Sequence, residues 1–207
     1  MDLRYQSVSL RMRNPDKTKA NILKKSGMLF NTQGYKATSI SDITDATGLT
    51  KGAIYRHFKS KEELEKETLL HLSYIMFDQL RGQIKEQPTA GLKLRAVISS
   101  FESYLTDSVL QGGCPLMNAA IEADDAHPAL RKAAVKILDV LTDSVAAILQ
   151  NGIKYKQIKS DIDQQYYSSV IIASLEGAIM MSKLRGNNDD IKHVIKHLET
   201  LISEIEL

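Results

Sequence analysis

The chain has 207 residues, of which 43% are hydrophobic and 25% charged, as in an ordinary globular protein. Its longest apolar run, at 170–181, is interrupted by Ser174, Glu176 and Gly177, which argues against a membrane span. A single cysteine, Cys114, excludes an intramolecular disulfide, and the first residues show no apolar stretch of secretory length. We therefore expect a cytoplasmic protein.

The net charge of +2 conceals a strong asymmetry along the chain. Residues 1–61 contain 12 Lys and Arg against 4 Asp and Glu, whereas residues 62–207 contain 15 against 21. A basic first third indicates that this end of the protein meets a polyanion such as nucleic acid. A chance asymmetry is the alternative.

Helix signals dominate from residue 14 onward. Asn14 and Pro15 predict the N-cap and first position of a helix that ends near Gly34. The segment 39–42, "SISD", has capping-box spacing and predicts a short second helix that ends at Gly48.

A third helix is predicted from Thr50, a good N-cap. Ser60 and Glu63 then predict the start of a long fourth helix, which Pro88 ends, and Thr89 can cap the fifth.

The remaining segments are also helical. One helix follows the breaker cluster "QGGCP", a long one starts at Pro128, and two more occupy about 163–184 and 188–206. Because no segment shows sustained period-two alternation, the sequence predicts an all-α protein with about nine helices. We expect a flexible basic arm at 1–13, a DNA-binding domain at 14–61 and a larger helical domain at 62–207.

The second and third helices have the arrangement of a helix-turn-helix, in which the later helix enters the major groove of DNA. Lys51, Gly52 and Ala53 lie at its leading end after the Thr50 cap. Lys51 can donate to guanine, Gly52 lets the backbone approach, and Ala53 can contact a thymine methyl group. The other polar residues expected at the DNA, mainly at its phosphates, are Thr38, Ser39, Tyr55, Arg56, His57 and Lys61.

The segment 34–64, "GYKATSISDITDATGLTKGAIYRHFKSKEEL", resembles the DNA-binding signature of the TetR family of transcriptional regulators. One departure is Thr44, where the family usually has alanine. The resemblance implies a homodimer whose two recognition helices bind a palindromic operator, usually to repress transcription. It also implies a C-terminal domain that binds a small molecule and moves the two DNA-binding heads.

The family dimerises through its last two helices, and small residues line one face of the helix at 163–184 here. Together with the final helix, this face could form half of an intersubunit four-helix bundle. Packing within one subunit is the alternative. The interface residues that we predict are Val170, Ala173, Ser174, Gly177, Ala178, Met181, Val194, Leu198 and Leu201.

We expect a ligand pocket between the helices that start near Ser60, Thr89 and Pro128. Its candidate residues are mostly Met, Phe and Tyr, which favours an apolar or aromatic ligand, although each of them could equally belong to solid core. These candidates are Met76, Phe77, Phe101, Tyr104, Leu105, Cys114, Met117, Asn118, Ile121 and Tyr166.

Cys114 precedes Pro115 at a predicted helix start, where the helix dipole would favour a thiolate. A redox- or electrophile-sensing thiol is therefore one hypothesis, and a buried small hydrophobe is the alternative.

The acidic cluster of Glu122, Asp124, Asp125 and His127 matches no dedicated metal-site spacing, so we predict no metal and no cofactor. The chain also shows no nucleophile triad and no Gly-rich phosphate loop, so we predict no enzyme. A helical interaction module that does not bind DNA remains an alternative from a different class.

Overall fold

Nine α-helices form the secondary structure that the computed structural model describes, which covers residues 15–106, 110–123 and 127–207. The prediction of an all-α chain with about nine helices is confirmed. The helices are α1 (Pro15–Gln33), α2 (Ile40–Thr47), α3 (Lys51–Tyr55), α4 (Lys61–Lys85), α5 (Ala90–Thr106), α6 (Pro115–Ala123), α7 (Pro128–Lys154), α8 (Gln164–Arg185) and α9 (Asp189–Ile205). The predicted basic arm at 1–13, the Asn14 cap, Asp124 and Asp125 lie outside the described residues.

The short helix α2 begins and ends as its sequence predicts. The N–H of Asp42 donates to Ser39 Oγ at 3.2 Å, and the N–H of Ser39 donates to Asp42 Oδ2 at 2.7 Å. These two bonds complete the capping box, and the bond from the Ser39 backbone is the main cause that lowers the pKa of Asp42. Gly48 ends the helix in the left-handed conformation, with φ of 68°.

The starts of α3 and α4 are also capped by the predicted residues. Thr50 Oγ1 accepts a hydrogen bond from a backbone N–H of the first turn of α3, and Ser60 Oγ accepts one from the N–H of Glu63 at 3.1 Å. The Glu63 carboxylate accepts from the N–H of Lys59, one residue before the position that a capping box would use.

Helices α1, α2 and α3 form a small domain around an apolar centre. Tyr35, in the turn after α1, stacks on Phe30 with ring centroids 4.8 Å apart. The centre is completed by fully buried side chains from all three helices and the turns, namely Ile22, Ile43, Ile54 and Phe58. Burial of this apolar surface holds the two short helices, which could not form alone, in a fixed relation.

Helix α4 connects this domain to the rest of the chain, because it packs on α1 and also on α5 and α7. At its first residue, Lys61 Nζ donates to Tyr35 O at 2.8 Å and lies 3.2 Å from Glu65 Oε1. These contacts fix the start of α4 to the turn between α1 and α2.

The larger unit is a bundle in which α8 packs on α7, α5 and α9. Arg95 on α5 connects α5 with α9. The Arg95 guanidinium contacts Glu199 at 2.7 Å and both carboxylate oxygens of Glu206 at 2.9 Å. The short helix α6 packs between α7 and the pair α1 and α4. Within the described ranges, no helix has the length and apolar character that crossing a bilayer requires.

Candidate DNA interface and ligand cavity

Helix α3 presents one polar face to solvent. Lys51, Gly52, Tyr55 and Arg56 are exposed, and the Lys51 ammonium lies 6.0 Å from the centre of the Tyr55 ring. A Cβ atom added to Gly52 would meet nothing within 4 Å, so this part of the backbone is open to a large partner. The opposite face, with Ile54, is buried in the domain centre.

Two of the residues predicted at the DNA are turned inward in this structure. Thr38 is fully buried, and both its hydroxyl and its N–H donate to Gly34 O, at 2.7 and 3.2 Å. Ala53 is only 8% exposed, so little of its methyl group is free for a thymine. Thr38 therefore stabilises the turn before α2, and neither of its donors is free for a phosphate.

The other residues predicted to contact DNA differ in how available their side chains are to a partner. Ser39 and Thr50 are exposed but use their hydroxyls as helix caps, whereas His57 is half-buried beside Phe58. Lys61 already has two internal partners in Tyr35 and Glu65, so its ammonium is less available than that of Lys51. Among the residues predicted at the DNA, the exposed basic side chains are thus those of Lys51, in α3, and Arg56, directly after it.

A cavity of about 530 Å³ lies between α6, α7 and α8. Its volume is typical of small-molecule sites, which run from about 300 to 1,000 Å³. Most of its lining is aliphatic, including Leu116, Met117, Ile121, Leu138 and Ile172, and its polar members are Arg131, Thr142, Ser169 and Glu176.

This cavity differs in position from the pocket predicted between α4, α5 and α7. Of the predicted pocket residues, Met117 and Ile121 line it. Met76 and Phe101 lie outside this lining and are buried where α4, α5 and α7 pack on one another. Four further candidates also lie outside the lining. They are Phe77 on α4, Tyr104 and Leu105 on α5, and the exposed Tyr166 on α8.

Cys114 lies beside this cavity and is fully buried. Its thiol donates to Glu176 Oε1 at 3.0 Å. Burial, and then the Glu176 charge, raise the pKa of the thiol well above its usual value, although backbone N–H groups at the start of α6 act in the opposite direction. The expected thiolate is therefore wrong, because desolvation outweighs the helix dipole.

Glu176 is the least expected residue of the cavity, since the sequence singled it out only as an interruption of an apolar run. Burial raises its pKa to about 7, while the hydrogen bond from Cys114 lowers it. Its second oxygen, Oε2, is buried without a hydrogen-bond partner in the described chain. Tyr104 on α5 faces the same pair, and burial is the main cause that raises its pKa.

Helix α6 has the cavity on one face and the DNA-binding domain on the other. Asn118, predicted for the pocket, points away from it: its Nδ2 donates to Asn31 O, Asn31 Oδ1 and Gly112 O, at 2.9–3.1 Å. Asn31 on α1 in turn donates to Gln111 O and Gly113 O. A Cβ atom on Gly112 would lie 2.1 Å from Asn31 O, so only glycine fits here.

Glu122, at the end of α6, binds the turn between α1 and α2. Its Oε1 accepts the N–H of Tyr35 at 3.0 Å, and its Oε2 accepts the N–H of Lys36 at 2.9 Å. A Cβ atom on Gly34 would lie 2.7 Å from Oε1, so the glycine leaves room for the carboxylate. The sequence pattern does not reveal this contact, because its partners are 86 and 87 residues apart. In the part of the chain that is described, no cluster of three metal-ligating side chains occurs.

The predicted dimer face divides into exposed and buried residues. On α8, Ala173 and Met181 are exposed, and a Cβ atom on Gly177 would meet nothing within 4 Å. Ala178 and Leu198 are buried within the subunit, so they have no surface to offer a partner. The half-buried members are Val170, Ser174, Val194 and Leu201.

We expect Glu176 to make the stability of the protein depend on pH. Its pKa is raised in the folded state, so the folded protein holds a proton that the unfolded chain releases, and stability falls as pH rises toward about 7. Glu176→Gln removes this loss, which is on the order of 3 kcal/mol. The melting temperature of the variant, relative to the parent protein, should rise between about pH 5 and pH 8.

The comparison isolates this carboxyl group because Cys114, Tyr104 and Arg131, which face it or share its cavity, are the same in both proteins. A difference in melting temperature that stays constant across this range would contradict the raised pKa.

Known proteins match the whole architecture. Residues 22–68 match the model of the bacterial regulatory proteins of the tetR family, and residues 91–198 match the tetracyclin repressor-like C-terminal domain. A TetR transcriptional regulator of Chloroflexus aurantiacus J-10-FL is 33% identical, with a TM-score of 0.90 over 95% of this chain and 100% of that one. A TetR-family regulator from Cytophaga hutchinsonii is 32% identical, with a TM-score of 0.85 over 93% and 96%.

A third relative is the HTH-type transcriptional repressor KstR2 of Rhodococcus jostii (strain RHA1), which is 29% identical over 70% of each chain. The two family models together cover the DNA-binding domain and most of the helical domain. The chain therefore belongs to the TetR family and is a ligand-responsive, DNA-binding transcriptional regulator.

Proposed function

We propose that the chain is a homodimeric repressor that binds a palindromic operator through α3 and is released when an apolar small molecule occupies the cavity between α6, α7 and α8. The observation that carries the proposal is the position of α6, which lines the cavity with Met117 and Ile121 and is hydrogen-bonded to the DNA-binding domain through Asn118 and Glu122. The role is regulatory, with no catalytic step.

Two alternatives have less support. A redox sensor needs an accessible, ionisable thiol, whereas Cys114 is buried and its pKa is raised. If the chain were an interaction module that does not bind DNA, the exposed basic side chains of Lys51 and Arg56 would have no assigned role.

Base recognition is assigned to Lys51, at the leading end of α3. We expect Lys51→Ala to relax the preference at one base pair by about 1–3 kcal/mol, because it removes a donor to a base edge. Selection of bound duplexes from a random library, followed by affinity measurements on single-base variants of the selected site, checks this.

Lys85→Ala is the matched control, since Lys85 is an exposed basic residue in the last turn of α4. Lys61→Ala should weaken binding to all DNA sequences similarly. It should also lower the melting temperature, because Lys61 binds Tyr35 O and Glu65. An unaltered base preference in Lys51→Ala would remove that residue from the base-reading role.

Dimerisation is assigned to the exposed face of α8. Tyr166, Ala173, Gly177, Met180 and Leu184 recur at helical spacing on this face, and four of them are exposed. Such an apolar stripe with small residues near its middle suits a second helix at close range. A second copy of the chain is the proposed occupant, because two α3 helices on one two-fold axis match the two halves of a palindrome.

Gly177→Lys should convert the dimer to a monomer. The added side chain meets nothing within its own subunit, and lysine is a better helix former than glycine, so the fold is retained while the close approach is blocked. Light scattering measures the mass, and operator affinity should fall as the two half-sites bind separately.

Gly82→Lys on α4 is the matched control, because Gly82 is also helical and open to solvent. If Gly177→Lys stays dimeric, the α8 interface is incorrect.

The coupling between ligand and DNA is assigned to α6. Ligand contacts at Met117 and Ile121 would displace the helix, and with it the acceptor that holds the N–H groups of Tyr35 and Lys36. Because this turn precedes α2, its position sets the orientation of the helices that contact DNA.

Glu122→Gln should weaken this connection, because an amide offers one acceptor oxygen where the carboxylate offers two. We expect a loss of about 1–3 kcal/mol, with faster hydrogen exchange at the amides of Tyr35 and Lys36 and lower operator affinity. Glu86→Gln, which removes the same charge from an exposed site after α4, should change neither. Equal exchange rates in the two variants would exclude the proposed connection.

A further inference from the structure

We propose that the cavity selects a molecule with an apolar body and one basic amino group, and that Glu176 binds the amino group through its free oxygen. The proposal deepens the proposed function and rests on it, since it names the chemical class of the effector. It depends on three features of the cavity: its aliphatic lining, one buried carboxyl group and the absence of a described cation beside that group.

The lining supplies little besides aliphatic contacts. Leucine, isoleucine, valine, methionine and alanine side chains make up most of it, so an apolar body would gain free energy by leaving water. A fully apolar ligand would nevertheless leave Glu176 Oε2 without a partner. A polar group on the ligand is therefore required for a complete fit.

The carboxyl group is half satisfied. Its Oε1 accepts from the Cys114 thiol at 3.0 Å, whereas Oε2 is buried and has no partner in the described chain. The Cys114 bond stabilises the carboxylate, since the thiol, whose own pKa is raised, remains a donor. The missing partner is thus a hydrogen-bond donor, which reaches Oε2 when the Glu176 side chain turns this atom, closed to solvent here, toward the cavity that the residue lines.

A cationic donor fits better than a neutral one. For the ionised carboxyl group, a hydroxyl would satisfy Oε2 and leave the charge buried, whereas an ammonium supplies both the hydrogen bond and the opposite charge. Binding of the ammonium would therefore release the proton that burial keeps on Glu176 up to about pH 7. The neighbouring titratable groups, Cys114 and Tyr104, are neutral because burial raises the pKa of each. Arg131 also lines the cavity but is exposed, so its charge is screened by solvent.

The experiment compares three probes with one body: 4-phenylbutylamine, 4-phenyl-1-butanol and 4-phenylbutyrate. Calorimetric titration of the full chain without DNA should show the amine binding at least about tenfold more tightly than the alcohol, a difference of about 1.4 kcal/mol. The butyrate should bind least. Glu176→Gln should abolish the advantage of the amine and leave the alcohol unchanged.

Asp139→Asn is the matched control, because it removes one negative charge from an exposed position on α7 outside the lining. It should retain the preference for the amine. Arg131→Gln should keep or increase the affinity for the amine. Equal binding of amine and alcohol, tighter binding of the butyrate, or no binding of the amine at millimolar concentration would overturn the proposal.

Operator release, measured separately, distinguishes this inference from the proposed function. Tight amine binding that depends on Glu176 but leaves the operator bound would support the site and contradict the coupling through α6. Release by a neutral or acidic molecule that occupies the same cavity would support the coupling and overturn the chemical class.

Discussion

The N–H groups of Tyr35 and Lys36 obtain their acceptor from a helix more than 80 residues away, the carboxylate of Glu122 at the end of α6. Backbone donors at a turn must find a partner, and here the partner belongs to the ligand-binding domain. Asn118, one helical turn earlier, adds a second connection through Asn31. The turn between α1 and α2 is therefore held by α6, which is also a wall of the cavity.

This arrangement places the proposed ligand cavity next to the DNA-binding domain and next to the proposed dimer face. α6 joins the cavity to the DNA-binding domain, and α8 lines the cavity with Ala173, which also lies on the proposed dimer face. A packed interior transmits small displacements because side chains cannot be compressed, so a molecule inserted between α6 and α8 acts on both neighbours.

Glu176 and Cys114 form a polar pair in a mostly aliphatic region, at a cost in stability. Burial, and then the charge of Glu176, raise the pKa of the thiol although the helix start alone would lower it, so the thiol remains the donor of this pair. A carboxyl group that is buried, half satisfied and beside a cavity is typical of a binding site, where local stability is given up for recognition.

The sequence by itself determined the nine helices, the N-caps of α2, α3 and α4, and the DNA-binding domain, because hydrophobic periodicity, capping residues and glycines act over a few residues. It also carried the family resemblance, whose motif is contiguous. Only the tertiary structure decided that Asn118 and Glu122 contact α1 and its turn, that Lys61 and Thr38 are engaged internally, and that the cavity lies against α8 instead of α4 and α5. Such contacts join residues far apart in the chain, and periodicity specifies which face of a helix is buried without specifying what it is buried against.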